Sequence, residues 1–139
     1  FHAVTNARAG KDGDWIVEGL AEYYGLELLV RSRSVSKHRF ERGLAAIGRK
    51  GRSAALAGQR SSGAATAHAV TVLRALDAHI RKETSERMSL DSVVAVLARQ
   101  LVPVTTAGFQ ATAEKITGLD LDSFLEKVCV VYMEIFYPK

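Results

Sequence analysis

Proline occurs at only two positions of this chain, Pro103 and Pro138, so the long segments before Pro103 are free of its block on helix formation. Alternating apolar and polar runs, the mark of half-buried strands, are nearly absent, and apolar residues recur three and four apart instead. The spacing predicts an all-α fold, a helical bundle of about five to six helices. A length of 139 residues suffices for one hydrophobic core and is short for two, so a single helical domain over 1–139 is expected. Hydrophobic residues at 47% and charged ones at 24% suit a globular chain, and no apolar run reaches the roughly 18 residues of a membrane span.

The first helix is expected over about 14–31, with Asp14 as N-cap and Val17, Leu20, Ala21, Tyr24 and Leu28 as its core face. Before it, NARAGKDGD reads as a loop. Ser36 is placed to cap a short helix carrying Phe40, Leu44 and Ile47, which its glycines should then break. A long central helix over about 62–84 has the stripe Ala69, Val72, Leu73, Leu76 and Ile80. Ser89 should cap a helix with Leu90, Val93, Val94 and Leu97 inward, stopped near Pro103. Thr105 or Thr106 should cap the next, ended by Gly118, and Asp120 or Asp122 should open the last, SFLEKVCVVYMEIF.

Charge is uneven: residues 31–60 hold nine Lys or Arg against the single acid Glu41. Such a strip can meet an anion, but Phe40 is its one aromatic and it has no helix-turn-helix or zinc-finger pattern, so nucleic-acid binding is disfavoured. Cys129, alone in its type and set in KVCVVYM, reads as a buried structural thiol. His38 belongs to the basic strip, and His79 has no acid or cysteine at metal-ligand spacing. The chain opens FHAVTN, without Met or a charged leader, and the expectation is a piece of a longer protein. Its compartment is left open.

One stretch asks for chemistry. WIVEGLAEYYGLELL sets Glu18 and Glu22 one turn apart on a strongly apolar helix. A catalytic Zn²⁺ site needs three protein ligands and one open position, and a Glu on a second helix can be the third ligand. The stretch resembles the second zinc-site helix of the gluzincin metallopeptidases of the aminopeptidase N and glycyl aminopeptidase types, in which W-x-x-E-G-[FL]-[AT]-[ED]-Y-Y recurs. LDAHIRKETSERMSLDSVVAVLARQL is similar to the stretch of those families where I-R-x-x-T ends a long helix and S-L-D opens the next. TTAGFQATAEKITGLDLDSFLEKV resembles the segment after it, including Gly118, Asp120, Leu121 and Phe124. Together the three blocks span most of residues 15–128.

By this resemblance Glu18 is a zinc ligand, Glu22 a supporting acid, and the chain the C-terminal, helical lobe of a zincin-like catalytic domain. The parent reaction it implies is Zn²⁺-dependent peptide hydrolysis, with a peptide substrate attacked near its N-terminus. The pattern is incomplete here. HExxH is absent, and FHAVTN stands where its tail would be, with His2 as the second histidine and a shorter-than-usual spacer of 15 residues to Glu18. Thr66 and Ala69 occupy the positions of the family's Tyr and Gly in Y-x-x-G, so the oxyanion donor is changed, and His68 is an alternative. Tyr23 and Tyr24 read as packing residues with polar tips, one of which the family pattern keeps near the site. Alone, the chain should be inactive and bind Zn²⁺ weakly at best. Its partner would be the remaining N-terminal part of the catalytic domain, and the apolar surface left bare would let two copies pair. The competing reading is a non-catalytic helical scaffold or interaction module, using the basic strip 31–60 for anionic partners.

Overall fold

A computed structural model describes residues 7–10, 12–51, 63–124 and 126. Among them the fold is all-α, a bundle of five helices: α1 (Asp14–Arg31), α2 (Lys37–Gly51), α3 (Gly63–Glu83), α4 (Leu90–Leu97) and α5 (Thr106–Thr117). A further turn starts at Asp122, while Cys129 and most of the last expected helix lie outside the described residues. No helix among the described residues is long and apolar enough to cross a membrane.

α3 is the axis of the bundle, with α1 and α2 packed along it and α4 and α5 closing one side. Its stripe is the one the periodicity gives: Ala69, Val72, Leu73, Leu76 and Ile80 are all buried, and Val70 joins them. α2 presents Phe40, Leu44 and Ile47 to this core and starts at Ser36, whose Oγ accepts the Arg39 amide hydrogen bond at 3.2 Å. Contrary to expectation it runs through Gly43 and Gly48 without a break. The roughly 1 kcal/mol that each glycine costs a helix is offset by the apolar face seated on α3.

The α3–α4 turn is tight, with Ser85 and Glu86 both left-handed (φ 52° and 62°). Thr84, the one buried polar residue of the described chain, secures it by donating to the Ile80 carbonyl at 2.7 Å and accepting the Met88 amide at 3.1 Å. Ser92 Oγ accepts the Ser89 amide, and Asp77 Oδ1 accepts the Leu90 amide at 2.8 Å, so the first turn of α4 is capped locally and from α3. Thr105 caps α5 by accepting the Gly108 amide, and Gly118 ends it in the left-handed conformation (φ 71°).

α1 departs most from its expected packing. Its cap is Gly13 rather than Asp14, which is the first helical residue. Its buried residues are Trp15, Ile16, Val17, Gly19, Leu20 and Tyr23, whereas Tyr24 is half-buried and Leu28 is 59% exposed. The first turn is enclosed on several sides because α3 covers one flank and Trp15 meets Phe109 of α5 edge-on at 6.4 Å on another.

Candidate functional site

Glu18 is half-buried on α1, and Gly19 beside it sits where α1 crosses α3. A Cβ at Gly19 would lie 2.7 Å from Ala69 Cβ and 3.0 Å from Leu73 Cδ1, so only a hydrogen fits between the helices. Thr66 lies one turn before Ala69, and His68 directly before it, both half-buried on α3. The crossing thus brings the Glu18 helix against the stretch of α3 that carries Thr66, His68 and Ala69. Glu22, one turn further along α1, is exposed. Gly19→Ala should cost about 1–3 kcal/mol by overpacking. Ala69→Gly should relieve part of it, so that the double variant melts higher than the sum of the single losses gives, a coupling of about 0.5 kcal/mol or more. Strictly additive melting temperatures would mean that the helices do not meet there.

The chain leading into α1 is held from outside the helix. Ala9 and Val104 form a parallel bridge, with the Gly10 amide donating to the Val104 carbonyl and the Val104 amide to the Arg8 carbonyl, each at 2.7 Å. Trp15 Nε1 donates to Thr106 Oγ1 at 3.0 Å, and Thr106 donates in turn through its hydroxyl to the Asp12 carbonyl and through its amide to Asp12 Oδ1. The tryptophan of W-x-x-E-G therefore fastens the Glu18 helix to the start of α5. His2 lies outside the described residues.

Tyr24 points away from that crossing, to the start of α4. Its hydroxyl donates to Asp91 Oδ1 at 2.6 Å, and Arg31 reaches both oxygens of Asp91 at 3.2 and 3.3 Å and Glu27 at 3.2 Å. Burial pushes the Tyr24 phenol well above its ordinary value, and the bond to Asp91 adds to the rise. Burial likewise raises Tyr23, followed by the charge of Asp77. For Asp91 desolvation acts upward, yet the hydrogen bonds from Tyr24 and Arg31 outweigh it and hold the carboxyl below its ordinary 3.8. A depressed carboxyl stabilises the fold above that ordinary value and ceases to as pH falls through the lower one. Asp91→Asn should therefore lower the melting temperature at neutral pH and lose its effect in acid, as the carboxyl is titrated below its ordinary 3.8. With the Asp91 side chain 44% exposed, solvent screening keeps the difference under about 1 kcal/mol. A gap that widens in acid would reverse the assignment.

The remaining histidines are structural or solvated: His79 stacks on Phe124 at 5.0 Å, and His38 is exposed. Among the described residues, the one set of three His, Cys, Asp or Glu groups close enough to share an ion is Glu114, Asp120 and Asp122, their ligand atoms within 4.8 Å of one another. Sequence reading gave Asp120 and Asp122 a capping role and missed the approach of Glu114. All three serve the turn after α5. Glu114 accepts the Leu121 amide, Asp120 accepts the Asp122 amide, and Asp122 accepts the Gln110 side-chain amide. Glu18 belongs to no such set of three among the described residues.

Comparison with protein-family models, curated proteins and solved structures gives no match to this chain.

Proposed function

We propose that this chain is the helical, Glu18-bearing part of a gluzincin-like zinc metallopeptidase, with peptides as substrates. On this reading Glu18 is one of three Zn²⁺ ligands, and His2 together with residues N-terminal to it completes the set. The observation that favours it is the Gly19–Ala69 crossing, which sets the Glu18 turn against the turn of α3 where the resemblance places the oxyanion donor. Glu22, exposed and one turn further along α1, is a supporting acid at most. Thr66 in place of tyrosine makes for a weak peptidase, since a threonine hydroxyl reaches less far and is a poorer acid.

Zinc content and aminopeptidase activity of the full-length protein test this reading, with Glu18→Ala and Glu18→Gln as variants. Loss of even an outer-shell partner of a metal costs about 10–100-fold, so loss of a ligand should lower both readouts by about 100-fold or more while the melting curve survives. Zinc and activity unchanged in a folded variant would leave the WIVEGLAEYY helix with a purely structural role.

A further inference from the structure

The face of α2 turned away from α3 is unused by the zinc reading and does not depend on it. Arg39, Arg42, Gly43, Ala45, Ala46 and Arg49 line an open concavity of about 800 Å³. Gly43, Ala45 and Ala46 make its floor, and the arginines, all exposed, stand as its walls. A Cβ built on Gly43 meets nothing within 4 Å, so the floor is open. Arg39, Arg42 and Arg49 form no ion pair among the described residues, although Arg31, Arg74 and Arg81 all do. The one acid of α2, Glu41, is taken by Arg74. Nine of the 19 Lys and Arg but one of the 15 acids lie in 31–60, leaving ten bases and 14 acids elsewhere, so the chain's positive charge is concentrated in this strip.

We propose that this face of α2 docks an acidic helical segment of a partner protein. From 39 to 49 the arginines span about 15 Å of helix, and their planar forks suit carboxylates spaced one turn apart on a facing helix. A floor of Gly and Ala lets two helix axes come within the usual 8–10 Å. A membrane is less suited, because α2 spends Phe40, Leu44 and Ile47 on the core and no large apolar side chain is among the described residues lining the concavity. Nucleic acid is less suited, because the described residues of this outer face include no aromatic side chain on which bases could stack.

Fluorescence anisotropy of the whole chain with a labelled Glu- and Ala-rich helical 20-mer, a 20-bp DNA duplex and phosphatidylserine vesicles tests the assignment. The peptide should bind most tightly at low salt and weaken as NaCl rises. R39E/R42E/R49E should lose at least tenfold in affinity, while K82E/R99E/K115E, with the same net charge change on other exposed surfaces, should stay within about twofold. Ala46→Trp keeps every charge but fills the floor, and should also lose binding; circular dichroism would establish that each variant is folded. Equal losses in both charge-reversed triples, no peptide binding at low salt, full binding by Ala46→Trp, or tighter binding of DNA or vesicles would each overturn the proposal.

Discussion

Replacing Trp15 with alanine should cost about 3–5 kcal/mol, the usual range for removing a buried tryptophan. With total stabilities of small domains at about 5–15 kcal/mol, the variant should be marginal or largely unfolded at 25 °C. Trp15 is 2% exposed, joins the core between α1 and α5 and spends its indole donor on Thr106. Trp15→Phe separates the two contributions. It keeps an aromatic edge against Phe109 and drops the donor, so it should lose about 1–3 kcal/mol. Denaturant unfolding followed by circular dichroism is the measurement, since Trp15 is the chain's only tryptophan and its fluorescence vanishes with it. If both substitutions cost the same, the hydrogen bond rather than the packing would be the main term.

The roles found for Trp15, Thr84, Ser89 and Gly118 bear on how the peptidase resemblance is weighed. The Thr of I-R-x-x-T secures a strained turn, Ser89 opens α4, and Leu90 is buried. Asp91 binds Tyr24 and Arg31, Gly118 supplies a left-handed cap, Leu121 is buried and Phe124 stacks on His79. Each of these residues is needed by the fold whether or not a metal is ever bound. Glu18 differs in its place, half-buried beside the Gly19–Ala69 crossing of α1 and α3. The functional reading therefore rests on Glu18 and not on the number of matched positions.

What could be read from the sequence was what is local. The stripe of α3 follows from a 3.6-residue period, Ser36, Thr105 and Gly118 act on amides or carbonyls within a turn of themselves, and Ser89 heads α4 with its own amide donating to Ser92 Oγ. The orientation of α1 was not local. Its expected stripe ran through Tyr24 and Leu28, but the covering surface comes from α3 and from residues 104–109, which only the folded chain places around Trp15 and Ile16. Tyr24 and Asp91 are 67 positions apart, and no pattern on either helix announces the pair. In the candidate site, the two acids were visible as residues while their difference in burial was not.

Gly13→Ala should be at least as damaging as the loss of Trp15's donor, at about 3 kcal/mol or more, because here the obstacle is main chain. A Cβ on Gly13 would stand 1.7 Å from the Val104 carbonyl oxygen and 2.7 Å from its carbon. Its backbone (φ −98°, ψ 0°) is open to any residue, so the demand is for space and not for glycine's conformational freedom. To admit one methyl group, the 7–10 segment and the start of α5 must part, which breaks the Gly10–Val104 and Arg8–Val104 hydrogen bonds and pulls Asp12 from Thr106. Gly25→Ala is the matched control. A Cβ there meets nothing within 4 Å, and in mid-helix the change should stabilise by about 0.5–1 kcal/mol. Melting temperatures that move in opposite directions for these two glycines, with amide exchange at Gly10 and Val104 accelerated only in Gly13→Ala, would locate the joint that holds the Glu18 helix in place. If Gly13→Ala melts like the parent chain, the approach of Val104 to α1 is wrong, and with it the anchoring of Glu18.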